Sequence, residues 1–157
     1  MEILNFLDEL RIPYEKTEHT PVYTVAESRE LHIADTLNGF PCKNLFLKSK
    51  NGQYFLLVLP AEKRANLKNV ASSLALPRLS FASEQELLDI LFLHPGSVTP
   101  LSLVNDTEQK VTLILDEDLK GKRLLLHPNT NTATISLAFD DLLRFVRYVN
   151  HSYLMLT

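Results

Sequence analysis

Lys43-Asn44 stands directly ahead of the apolar run Leu45-Phe46-Leu47, and His127 follows Arg123-Leu124-Leu125-Leu126 and precedes Pro128. A cation, an amide and an imidazole at the mouths of apolar strands can grip an anion, orient a polar group and exchange a proton. Pro128 holds His127 in extended backbone. A third segment, Gly96-Ser97-Val98-Thr99-Pro100, can bring backbone N–H groups close to a ligand, because Gly96 has no side chain in the way while Pro95 and Pro100 stiffen the loop. Such a loop can clamp a carbonyl or an oxyanion. Each piece also has a plainer reading: a solvated lysine, a hydrogen-bonded structural histidine, a turn ahead of Leu101-Val104.

Other chemistries find less support. Cys42 is the only cysteine, so no internal disulfide or multi-cysteine metal site is available, and no Cys/His signature surrounds it. It reads as a small buried or half-buried thiol. The histidines (His19, His32, His94, His127, His151) are scattered, with no two at the i, i+4 spacing of helical metal ligands, and no metal or cofactor is expected. No Gly-x-Ser-x-Gly elbow, phosphate-binding glycine loop or His-Glu-x-x-His appears.

The 157 residues carry a net charge of −3, but unevenly. Residues 43–78 hold seven basic side chains (Lys43, Lys48, Lys50, Lys63, Arg64, Lys68, Arg78) against Glu62 alone, whereas residues 1–35 hold three basic and eight acidic ones. A positive face on an acidic protein can attract a polyanion without the indiscriminate affinity of a basic one; a solvated face of a hairpin and a helix has the same composition. No apolar run approaches the ~18 residues of a membrane span, and the first ten residues carry acids where a signal peptide carries bases. A soluble cytoplasmic protein is the expectation.

The elements that must position these groups follow from periodicity and punctuation. A helix over 2–10 ends by Pro13, an extended piece runs from Tyr14 to Tyr23, and Thr24-Val-Ala-Glu27 is a capping box for a helix to Leu31 or His32. Leu45–Lys50 and Gln53–Leu59 flank Asn51-Gly52, predicting a hairpin with a type I′ turn. Glu62–Leu74 is amphipathic. Ser83-Glu-Gln-Glu86 caps a helix carried through Phe92 and stopped by Pro95. Strands are predicted at Val111–Leu115, Arg123–Leu126 and Thr132–Leu137, then a helix at Phe139–Asn150. With no repeat or linker, residues 1–157 form a single α+β domain, a mixed and largely antiparallel sheet flanked by helices.

Five segments in order, Lys43-Asn-Leu-Phe-Leu47, Lys63-Arg64 with Leu67-Lys68, Arg78-Leu-Ser-Phe-Ala-Ser83, Pro95-Gly-Ser-Val-Thr-Pro100 with Asn105-Asp106, and His127-Pro-Asn-x-Asn131, resemble the YbaK/ProX superfamily. This is the fold of the bacterial prolyl-tRNA synthetase editing domain and its free-standing relatives. The resemblance covers nearly the whole chain and is strongest to the ProX-type deacylases that clear alanine mischarged onto proline tRNA. Leu93-His94 stands where relatives often have a glycine.

The resemblance implies a trans-editing aminoacyl-tRNA hydrolase, most similar to those acting on Ala-tRNA(Pro), with no covalent intermediate. Lys43, Asn44, Gly96 and His127 would be its catalytic residues, Ser97, Val98, Thr99 and Pro100 its substrate-binding loop, and Lys43, Lys63, Arg64 and Arg78 its tRNA contacts. Mischarged tRNA(Pro) is the implied partner, with prolyl-tRNA synthetase a second one. Other esters such as Cys-tRNA(Pro), and a non-catalytic module binding tRNA or synthetase, are the alternatives. Losing a methylene costs a synthetase pocket only ~1–3 kcal/mol, so a pocket shaped for proline admits alanine and a second, smaller site must remove it.

Overall fold

The computed structural model describes residues 2–21, 23–24, 26–27 and 37–157. Eight strands form one sheet: β1 (Glu15–Glu18), β2 (Phe40–Ser49), β3 (Tyr54–Pro60), β4 (Leu79–Phe81), β5 (Val111–Asp116), β6 (Arg123–Leu126), β7 (Ala133–Ala138) and β8 (Tyr153–Leu156). They lie in the order β1-β7-β6-β2-β3-β5-β8, with β4 attached to β2 off that path. Three pairs (β2–β6, β3–β5, β5–β8) are parallel, beside four antiparallel ones, so the α+β expectation holds with a more evenly mixed sheet. The described helices are α1 (Ile3–Glu9), α2 (Leu67–Ser73), α3 (Glu84–Leu91) and α4 (Phe139–Tyr148). None is long and apolar enough to cross a membrane.

The continuous apolar run of β3 marks a strand buried on both faces. Leu56 and Val58 point into the larger core with Leu7, Leu91, Leu113 and Phe145, while Phe55, Leu57 and Leu59 point to the other face, where Val70 and Ala71 of α2 cover them. On β6 and β7 the alternation is different. Leu124, Leu126, Ile135 and Leu137 enter the larger core, so Arg123, Leu125, His127, Thr134 and Ser136 share the opposite, far more polar face.

The hairpin forms around Asn51-Gly52 with Lys48 opposite Tyr54, but its turn is not type I′. Gly52 N–H donates to the Ser49 carbonyl at 2.9 Å, Ser49 N–H donates to the Gln53 carbonyl at 2.8 Å, and Gly52 has φ +89° while Asn51 does not take positive φ. This is a three-residue loop closed at a glycine. The Ser49 hydroxyl favours it, accepting from Gln53 N–H at 3.0 Å and donating to the Asn51 side chain.

Two other expectations shift. α2 begins at Leu67 rather than Glu62, because the Asn66 side chain accepts from Asn69 N–H at 3.1 Å and caps the helix there. α3 has both halves of its capping box but ends at Phe92, left-handed at φ 57°, before Pro95 is reached. At Thr24 the hydroxyl accepts from Glu27 N–H at 3.1 Å, as the capping box predicts; the helix expected beyond it, to Leu31 or His32, lies outside the described residues.

β4 and β8 were not anticipated by periodicity. β8 pairs with β5, and a buried knot secures the chain just before it: Asp106 accepts from Lys110 N–H at 3.1 Å, Val111 N–H at 2.8 Å and His151 Nε2 at 2.9 Å.

Candidate active site

β2 has one partner, β3, along one edge and two along the other. Phe40 and Pro41 pair with Leu124 and Leu125 of β6, and Leu47 to Ser49 pair with Phe81 to Leu79 of β4. Between them, residues 42–46 have no strand on that edge among the described residues; Ala82 N–H closes the far end by donating to the Phe46 carbonyl at 3.0 Å. The sheet therefore opens a slit along β2, and Lys43 and Asn44 lie in it.

Pro41 is level with Leu125 in a parallel pair, and Lys43 and His127 each stand two residues further on along their own chains. Both belong to the same face: Cys42 packs with the larger core and Leu45 with the α2 core, which turns Lys43 away from the former, as Leu126 turns His127. Asn44 points to the opposite face from Lys43. Its Oδ1 is buried and has no hydrogen-bond partner among the described residues. A buried acceptor without a donor is costly, and it suits a group that meets its donor on a ligand.

His127 is held by β7. Its Nδ1 donates to the Ala133 carbonyl at 3.2 Å, which leaves the Nε2 lone pair free to accept. Burial pushes its pKa below the ordinary imidazole value; the Ala133 hydrogen bond opposes this and the neighbouring His19 adds to it. His19 follows β1, with its N–H on the Thr132 carbonyl at 2.9 Å. Its Nδ1 donates to the Thr20 carbonyl at 2.7 Å and its Nε2 accepts from the Thr134 hydroxyl at 2.8 Å. A cavity of about 400 Å³ lies on the outer side of His19, lined by Lys16, Glu18, Pro128, Thr130 and Thr132 among others. It borders the turn after His127 but includes none of Lys43, Asn44 and Gly96.

Gly96 has φ +92°, and a Cβ there would stand 2.6 Å from Tyr23 Cδ1. Both the backbone angle and the contact require glycine. Within the loop, Ser97 N–H donates to the His94 carbonyl at 3.2 Å, whereas the N–H groups of Gly96 and Val98 meet no acceptor among the described residues. Thr99 and Pro100 are buried: the Thr99 hydroxyl accepts from Leu101 N–H at 3.3 Å, and the Thr99 carbonyl accepts from the Ser102 hydroxyl at 2.6 Å. Those two residues brace the loop from inside. The segment after β1 spans the site, with His19 beside His127 at one end and Tyr23 on Gly96 at the other. His19, Tyr23 and Thr134 were missed from the sequence, although the alternation Thr134, Ile135, Ser136, Leu137 signals a polar sheet face.

The basic block divides. Lys48 pairs with Glu86 at 2.8 Å, and Lys63 pairs with Asp116 at 2.8 Å and Asp118 at 3.1 Å. Lys43, Lys50, Arg64, Lys68 and Arg78 make no ion pair among the described residues. Lys50 N–H donates to the Arg78 carbonyl at 2.8 Å, so these two residues are backbone neighbours at the hairpin tip. Cys42 is confirmed as a half-buried thiol, with Sγ 3.2 Å from the Phe40 carbonyl and a pKa pushed up to about 12 by burial. No group of three or more His, Cys, Asp or Glu side chains that could hold a metal occurs among the described residues.

Residues 19–145 match the aminoacyl-tRNA editing domain family. The chain belongs to that family, and its class of activity is deacylation of aminoacyl-tRNA. It is 37% identical to the prolyl-tRNA editing protein ProX of Acetoanaerobium sticklandii, over 90% of this chain and 86% of that one. It is also 37% identical to the prolyl-tRNA synthetase associated domain-containing protein 1 of Danio rerio, over 99% and 85% of the two chains. Among solved structures, a candidate trans-editing enzyme for prolyl tRNA synthetase superposes with a TM-score of 0.68 at 20% identity, covering 92% of this chain and 86% of that one. The hypothetical protein APE2540 superposes with a TM-score of 0.75 at 16% identity, covering 99% and 98%.

Proposed function

We propose that the protein is a cytoplasmic trans-editing enzyme that hydrolyses alanine from mischarged tRNA(Pro). The observation that carries the site is the parallel pairing of Phe40 and Pro41 with Leu124 and Leu125, which sets the chain leading to Lys43 beside the chain leading to His127 at the slit in β2. The substrate preference draws its support from the similarity to ProX, a prolyl-tRNA editing protein.

An aminoacyl ester is already activated toward water, so placement and carbonyl polarisation suffice and no nucleophilic side chain is needed. Lys43 holds the phosphate or ribose of the terminal nucleotide. The N–H groups of Gly96 and Val98 receive the oxygen on which negative charge develops. Asn44, whose Oδ1 has no donor among the described residues, accepts from the substrate's ammonium group. Neutral His127 directs its Nε2 lone pair to the attacking water, or to the terminal ribose hydroxyl that relays the proton. Arg64, Lys68, Arg78 and Lys50 meet acceptor-stem phosphates, and prolyl-tRNA synthetase, the source of the mischarged tRNA, is the natural delivering partner.

Deacylation of a panel of charged tRNAs tests the reading. Hydrolysis of Ala-tRNA(Pro) with Pro-tRNA(Pro) spared supports it. Preference for Cys-tRNA(Pro) would keep the chemistry and change the substrate, and tRNA binding without hydrolysis of any ester would leave a non-catalytic module.

A further inference from the structure

Tyr23 is 63% exposed, yet it is not loosely held. Its ring occupies the space a side chain at Gly96 would need, with Cδ1 2.6 Å and Cε1 3.3 Å from the position of a Cβ there. The chain ahead of it is anchored, with His19 bound to Thr132 and Thr134, and just after it the Thr24 hydroxyl accepts locally from Glu27 N–H at 3.1 Å. Pro21 restricts the backbone between His19 and Tyr23. An apolar residue just before a helix cap commonly packs on the residue four past the cap, but here that residue is Ser28, which offers no apolar partner. Helix capping therefore does not account for an aromatic at this position, and no hydrogen bond engages its hydroxyl among the described residues.

We propose that Tyr23 is the stacking platform for the terminal nucleobase of the tRNA acceptor end. This rests on the editing reading above. An aromatic ring, fixed against the loop that receives the ester carbonyl and otherwise open to solvent, is what an unpaired base needs, since single-stranded ends are bound by stacking on aromatic side chains. The contact with Gly96 gives the platform a second effect, registering the base and the oxyanion loop to each other. The chemistry of the ester stays with Lys43, Asn44, Gly96 and His127; Tyr23 sets where the nucleoside lies.

The test uses the full-length protein, Tyr23→Phe, and Tyr23→Leu, which keeps apolar bulk against Gly96 without a ring. With uncharged tRNA carrying 2-aminopurine as its 3′-terminal base, wild type and Tyr23→Phe quench the fluorescence on binding, and Tyr23→Leu does not. On Ala-tRNA(Pro), Tyr23→Leu raises KM by roughly tenfold to a hundredfold with kcat nearly unchanged, and the same tRNA with an abasic 3′ residue shows no difference between wild type and Tyr23→Leu. Undiminished quenching in Tyr23→Leu, or an equal loss on both substrates, overturns the proposal and reduces Tyr23 to a prop for the loop. The fluorescence assay needs no hydrolysis, so it fails or succeeds independently of the editing activity.

Discussion

The imidazole rings of His19 and His127 meet edge to face, with centroids 6.5 Å apart and planes inclined at 60°. Each is fixed by β7 and the residue before it, His19 through Thr132 and Thr134 and His127 through the Ala133 carbonyl. Burial and the nearby His19 both favour the neutral form of His127. If neutral His127 directs the water, kcat/KM is flat through neutral pH and falls only below the ordinary imidazole range, about 6.5. Stability follows the same sign. The unfolded chain binds the proton more readily, so this group's contribution is full above about 6.5 and is lost as pH falls through the lower folded value. A pH–rate profile that declines between pH 8 and 7 would contradict this assignment.

The ion pairs sort the basic residues into two classes with separable phenotypes. Arg78→Ala and Lys50→Ala, at the hairpin tip, weaken tRNA binding and each lowers the slope of log K against log salt by about 0.7–0.9 if the side chain neutralises one phosphate. Lys63→Ala instead unpairs the fully buried Asp116 carboxylate. Because the Lys63 side chain is 46% exposed, the loss is discounted to roughly 1 kcal/mol of stability, with a smaller change in salt slope. Filter binding at several salt concentrations and urea melts of the same variants distinguish the two.

Cys42 lies one residue from Lys43, but its thiol is held protonated, with a pKa pushed up to about 12. Cys42→Ala retains deacylation within about twofold, and excess iodoacetamide at pH 8 leaves the native enzyme active, since the thiolate is the reactive form. Rapid inactivation by the reagent would show that the cysteine is accessible and ionised.

Asp106, which belongs to one of the segments shared with the editing superfamily, is structural. Its carboxylate takes two backbone N–H groups and His151, whose side chain is fully buried. Asp106→Ala removes one partner of a buried pair and destabilises the fold by about 3–5 kcal/mol in chemical denaturation. Residual folded enzyme keeps its KM.

What the sequence revealed depended on how local the physics was. The hairpin, the Ser83 capping box and α4 are decided by residues within a few positions of one another, and they formed where periodicity put them. The type I′ turn failed because a single hydroxyl, Ser49, tipped a choice between two loops that Asn51-Gly52 serves equally. β8 escaped notice because Tyr153-Leu-Met-Leu156 has no alternation; it becomes a strand by pairing with β5, 40 residues away in the chain, and through the Asp106–His151 anchor, 45 residues apart. At the site, the residue types of Lys43, Asn44, Gly96 and His127 were legible. The slit that gathers the first two, and the segment carrying His19 and Tyr23 across to Gly96, arise from long-range pairing that no local pattern encodes.

The most direct measurement is kcat/KM for hydrolysis of Ala-tRNA(Pro) beside Pro-tRNA(Pro), by wild type, Lys43→Ala and His127→Ala. The account predicts rapid loss of alanine, sparing of proline, and a fall on the order of 10²-fold or more in each variant with the fold intact. Equal hydrolysis of both esters, or variants as active as wild type, would contradict it.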